Sequence, residues 1–163
     1  SGCDVVISGI DTTEAVAEAA KFTAQGKQVW AIPYDYAKAI DEGKGVSLGV
    51  PYFNWGPAYL KNVKTAMDGT WKSHHEWNGP DWKNINNPDT GAVGFMKGTL
   101  TKTASDGVDK FVAELAKGLN LWNGPINLQD GTTYVAKGKK ATDQQIWYLP
   151  QLLQGMTGQS VSK

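Results

Sequence analysis

Apolar positions along this chain fall into two alternating patterns. Val5-Val6-Ile7, the stretch 28–33 and the stretch 46–50 are short apolar runs bounded by turn residues, the pattern of strands buried on both faces of a parallel sheet. Between and after them the spacing becomes helical. Ala15, Val16, Ala19, Ala20 and Phe22 follow Asp11-Thr12-Thr13-Glu14, in which Asp11 and Glu14 have the offset of a capping box, and Gly26 supplies a stop. Ala58, Leu60, Val63, Ala66 and Met67 repeat the pattern, with Pro57 suited to a first helical turn and Gly69 to the end. Strands alternating with helices at these lengths predict an α/β fold, specifically a three-layer αβα parallel sheet.

Beyond residue 70 the pattern is less regular. Residues 71–90 are rich in Trp, His, Asn, Pro and Gly and predict an ordered but irregular excursion. A strand is expected at 92–96. Ser105 or Asp106 is placed to cap a helix carrying Val108, Phe111, Val112, Leu115 and Leu119. The segments 123–126 and 129–132 read as two arms of a hairpin turning at Asp130-Gly131, followed by a short apolar segment at 146–150. No internal repeat is visible, and a length of 163 residues predicts a single domain over 1–163.

Charge narrows the partners. Sixteen basic and 16 acidic residues cancel, so no global field draws the chain to nucleic acid, and none is expected as a partner. Every basic residue is Lys, so the two-pronged grip of a guanidinium on phosphate or carboxylate is not available. Seven Trp and six Tyr supply flat amphipathic surfaces suited to a core or to stacking on a ligand. The single cysteine, Cys3, permits no disulfide within the chain and is expected to be a small buried side chain. No apolar run approaches the length needed to span a bilayer.

Motifs for chemistry are sparse. No Gly-x-Ser-x-Gly, Gly-x-Gly-x-x-Gly or Gly-Lys-Ser/Thr sequence follows a strand, which removes the usual entry points to hydrolase, dinucleotide and phosphate-loop function. His74-His75 are adjacent, a poor chelate, so no metal and no cofactor is expected. Asp11, Asp35 and Asn54 are more informative, because each lies just past one of three consecutive apolar runs. In a parallel sheet those loops open on one edge, where ligands bind. With Thr12 beside Asp11 and the flat face of Trp55 beside Asn54, the candidate ligand-binding set is Asp11, Thr12, Asp35, Asn54 and Trp55, suited to a small polar ring-bearing molecule. Cap and turn roles account for the same polar residues.

The order of several blocks resembles the Bmp family of basic membrane lipoproteins, substrate-binding proteins of ABC importers. The blocks are Gly2-Cys3-Asp4-Val5-Val6-Ile7, Ile32-Pro33-Tyr34-Asp35, Asn54-Trp55-Gly56-Pro57-Ala58-Tyr59 through Asp68-Gly69-Thr70-Trp71-Lys72, and Asn123-Gly124-Pro125-Ile126 through Gln129-Asp130-Gly131. The resemblance implies the C-terminal lobe of a type I periplasmic-binding-protein fold, without the first lobe and the opening strands of the second. It implies a purine nucleobase or nucleoside as ligand, no catalysis, an ABC transporter permease as partner of the full-length protein, and a lipoprotein anchored outside the cytoplasm. The acidic residue that the family places against ligand falls on Asp35, and the first ligand loop on Asp11 and Thr12. Where nucleoside receptors of this kind carry a Lys after the next strand, this chain has Pro51 or its neighbours, which favours a free base. The unpaired edge of such a sheet predicts self-association.

Two other readings fit parts of the sequence. A small α/β hydrolase or glycosidase would use Asp11 and Asp35 as acid and base. A carbohydrate-binding module would explain the Trp and Asn content, but alternating helices and strands suit those mostly β modules badly.

Overall fold

The computed structural model describes residues 2–43 and 45–159. The chain is a mixed α/β protein that packs as two compact units, 1–116 and 117–163.

The first unit opens with β1 (Val5–Ile7), α1 (Glu14–Ala24) and β2 (Trp30–Ile32), and β1 and β2 pair in parallel with Val6 opposite Ala31. The connection is a strand–helix–strand crossover, and α1 lays Val16 and Ala19 against Val29, Ala31 and Val46 in one buried cluster. Gln25 ends α1 through amide bonds back to Lys21 and Phe22, and Gly26 takes the left-handed φ of +86° that the stop requires. The start differs from expectation. Thr13 occupies the N-cap without a side-chain bond, and Asp11 lies outside the helix.

The short α2 (Ala39–Glu42) leads to β3 (Gly49–Phe53), three residues later than the apolar run suggested. Parallel bridges, Ala31 to Ser47 and Asp35 to Tyr52, carry the β1–β2 sheet across to this strand. The helix α3 (Gly56–Met67), with proline in its first turn, is followed by the irregular segment and then β4 (Val93–Lys97). β4 pairs antiparallel with β3, Val50 opposite Met96 and Phe53 opposite Val93. An all-parallel sheet was expected, and the irregular segment explains the reversal. Asn54 N donates to Ala92 O at 2.8 Å, so the chain re-enters at the C-terminal end of β3 and must run back along it.

Burial also departs from the sequence pattern. β1 is exposed along its length, with Ile7 at 73%, where a strand covered on both faces was expected. The unit ends in α4 (Lys102–Ala116), which starts ahead of Ser105 and Asp106. Its first turn is held by Thr101, whose hydroxyl accepts from Ala104 N at 3.2 Å, and by the Lys102–Asp106 pair at 2.6 Å. Leu119 lies beyond its end, past Gly118 with a φ of +99°.

The second unit contains a hairpin at the expected turn, Asp130-Gly131, but with its arms later than expected, since 129–132 lie in the turn and not in a strand. β5 (Ile126–Asn127) and β6 (Thr133–Val135) pair antiparallel, and Gly131 turns the chain with a φ of +88° while its amide donates to Leu128 O at 2.9 Å. Leu128 and Val135 are its buried apolar residues. α5 (Asp143–Trp147) begins at a full capping box between Thr142 and Gln145. No helix among the described residues is long and apolar enough to cross a membrane.

Candidate functional site

The parallel bridge between Asp35 and Tyr52 fixes the edge where the candidate residues meet. Asp35 N donates to Pro51 O and Phe53 N donates to Asp35 O, each at 3.0 Å, so the residues after β2 stay locked to the last residues of β3. Asp35 does this in a left-handed conformation, φ +77°, which Asp tolerates better than most residues. Its neighbour Tyr34 donates its hydroxyl to Asp11 Oδ1 at 2.9 Å, tying the loop after β1 to the end of β2. The phenol is held above its ordinary pKa, first because the Asp11 carboxylate accepts its proton, with the negative charges of Asp11 and Asp35 adding to the effect. The Asp11 carboxylate therefore meets Tyr34 directly, and Asp35, the next residue in the chain, adds only its charge.

From Tyr34 a row of rings runs outward. Tyr34 meets Phe53 edge-on at 6.2 Å, Phe53 meets Trp55 at 5.3 Å and 42°, and Trp55 stacks on Tyr59 at 6.2 Å and 20°. The order follows from the backbone. Phe53 ends β3, Trp55 is the N-cap of α3, and Tyr59 lies one turn on, where Tyr59 N donates to Trp55 O at 3.1 Å. A core role for Trp55 does not fit, since it is 56% exposed, Tyr59 63% and Phe53 40%. Rings braced by one another and open to solvent offer a stacking surface whose edge carries acceptors for N–H or O–H groups.

The structure thus brings Asp11, Asp35 and Trp55 to one aromatic row, and gives Asn54 and Thr12 other partners. Asn54 Nδ2 donates to Pro88 O at 2.8 Å and to Gly91 O at 2.9 Å, pinning the end of the irregular segment beside β3. The hydroxyl of Thr12 hydrogen-bonds the Glu14 carboxylate and lowers its pKa. Tyr34, Phe53 and Tyr59 were not among the expected site residues. Their signals are spacing: Phe53 is two residues before Trp55 on an extended segment, and Tyr59 is four after it on a helix.

Two other features lie outside this row. A groove of about 640 Å³ runs between β4, the segment 80–85 and α4, with Trp82, Ile85, Phe95, Phe111 and Leu115 in its walls. Its lining is almost wholly apolar, without the directed polar groups that orient a ligand, so the candidate site is placed at the aromatic row. Among the described residues no three His, Cys, Asp or Glu side chains converge as metal ligands, and Cys3 is exposed, not buried as expected.

With this geometry in view, the chain is similar to a purine-binding protein of Brucella abortus. The two are 30% identical over 148 residues, which cover 88% of this chain and 37% of the relative. The chain therefore spans a little over a third of the length of the relative it matches. No family model matches the chain.

Proposed function

We propose that this chain binds a small ring-bearing ligand, a purine nucleobase or nucleoside, at the row Tyr34–Phe53–Trp55–Tyr59, and that it does so without catalysis. The observation that carries the reading is the exposed, nearly parallel Trp55–Tyr59 pair, continued through Phe53 to Tyr34, where the Asp11 carboxylate closes the row. A planar heterocycle is matched by the ring pair and its N–H or O–H edge by the carboxylate. The relative's name points to the same ligand class. Asp11 is engaged by the Tyr34 hydroxyl, an arrangement suited to fixing a recognition surface, and nothing in the geometry favours the acid–base alternative for Asp11 and Asp35.

In the whole protein this surface would be one wall of a cleft in a type I periplasmic-binding-protein fold, the sheet completed into three layers. The protein would be a lipid-anchored, extracytoplasmic component that delivers its ligand to an ABC transporter permease. β1, paired with β2 and carrying exposed Val5, Val6 and Ile7, is the edge at which further strands or a second copy would add. Calorimetric titration and thermal shift with adenine, adenosine and a neutral sugar test the ligand. A purine-dependent rise in melting temperature is expected, and a response to the sugar with none to either purine overturns the proposal. Light scattering tests the edge, where a clean monomer at high concentration would count against self-association.

A further inference from the structure

The segment that leaves α3 is fixed at both ends and carries a charged knot in its middle. Thr70 N and Trp71 N both donate to Thr65 O, at 2.9 and 3.0 Å, and at the far end Ala92 N donates to Gly79 O at 3.0 Å. Between these points Glu76, with only 18% of its side chain exposed, gathers three partners. Lys61 Nζ of α3 donates to Oε1 at 2.6 Å, His74 Nε2 lies 2.6 Å from the same oxygen, and Asn78 Nδ2 donates to Oε2 at 3.1 Å. The other nitrogen of His74, Nδ1, lies 2.6 Å from the carbonyl oxygen of Lys72.

A backbone carbonyl can only accept, and so can an ionised carboxylate. Both ring nitrogens of His74 must therefore donate, which only the imidazolium does. The neutral ring has one N–H and would leave one acceptor facing a lone pair.

We propose that residues 72–78 form a proton-dependent strap, folded around Glu76 by a doubly protonated His74 and loosened when His74 loses a proton. The groups bearing on His74 are Glu76, Lys72 and His75 from the strap and Lys61 from α3. The Lys72 carbonyl and Glu76 raise its pKa, while the Lys61 charge works against them. Glu76 is lowered to about 2, first by Lys61, then by Asn78 and His74, so it stays ionised wherever His74 titrates. The sign follows. His74 has a raised pKa in the folded chain, so its contribution is fully present below the unfolded value and is lost as pH rises through the folded one. The Lys61–Glu76 bond does not involve the His74 proton, so the strap loosens without leaving α3. Loosening would open the polar crevice of about 220 Å³ lined by Lys61, Glu76, Trp77 and Asn78.

Imidazole NMR of the full chain, paired with amide hydrogen exchange, tests this. His74 should titrate higher in the folded chain than in the same chain unfolded in urea, and exchange at amides 73–78, corrected for its intrinsic pH dependence, should rise several-fold through the His74 midpoint. Glu76→Gln should bring the His74 midpoint down, and His74→Gln should abolish the transition. A His74 midpoint no higher in the folded than in the unfolded chain, exchange that ignores that midpoint, or a transition that survives His74→Gln overturns the proposal.

Discussion

The two ends of β3 are built on opposite plans. At its start the residues are small and close: Ser47 is 1% exposed, and Gly43 and Gly98 stand where any side chain would collide with it. At its finish they are large and open, Phe53, Trp55 and Tyr59 forming a surface row. The packed end fixes where the strand lies, and the open end spends apolar area on solvent that a core would have used. That expense makes sense if something flat covers the rings part of the time. The contrast separates scaffold from site on a single strand.

The sharpest way to break the comparison is Gly98→Ala. The new methyl would sit 2.1 Å from Ser47 O, a backbone atom that cannot swing away, and overpacking of this kind costs about 1–3 kcal/mol or more. Denaturant melts should show the loss, and unchanged stability would mean that the start of β3 is not the rigid end. Trp55→Ala acts at the other end. Stability should change little, because the ring is 56% exposed, whereas affinity for a purine should fall by about 1–3 kcal/mol, the worth of one base–aromatic stack. A variant that binds as tightly as its parent would move the site elsewhere.

The smallest effect is expected from Ser47→Ala. The Ser47 hydroxyl has no hydrogen-bond partner among the described residues, and a buried polar group in that state costs stability. The alanine form should gain about 1 kcal/mol in the same melts. A loss would show the hydroxyl to be bonded in solution, making the packed end a polar junction.

Much of the fold was legible because its signals are local. Gly26 stopping α1, Pro57 opening α3 and Asp130-Gly131 turning the hairpin each act over a few residues. The direction of β4 was not legible, since it depends on where a long irregular segment delivers the chain, and that is set by Asn54 reaching Pro88 and Gly91 far along the sequence. The start of α4 was misplaced because Ser105 and Asp106 are good caps that lost to Thr101. The capping box of Thr142 and Gln145 is another such local signal, a Thr followed three residues on by Gln. At the candidate site, strand-end logic pointed to Asp11, Asp35 and Trp55, the spacing around Trp55 could have added Phe53 and Tyr59, and Tyr34 joins the row through a contact made by the fold.

The left-handed Asp35 sets the terms on which this edge can change. Gly, Asn and Asp hold such a backbone at little cost, and other residues strain it. Drift at this position is therefore channelled into a ladder of three residues that keep the chain path and step the side chain from charged to neutral to none. A lineage altering what the edge accepts could retune polarity there in single steps while the strand pairing beneath stayed the same.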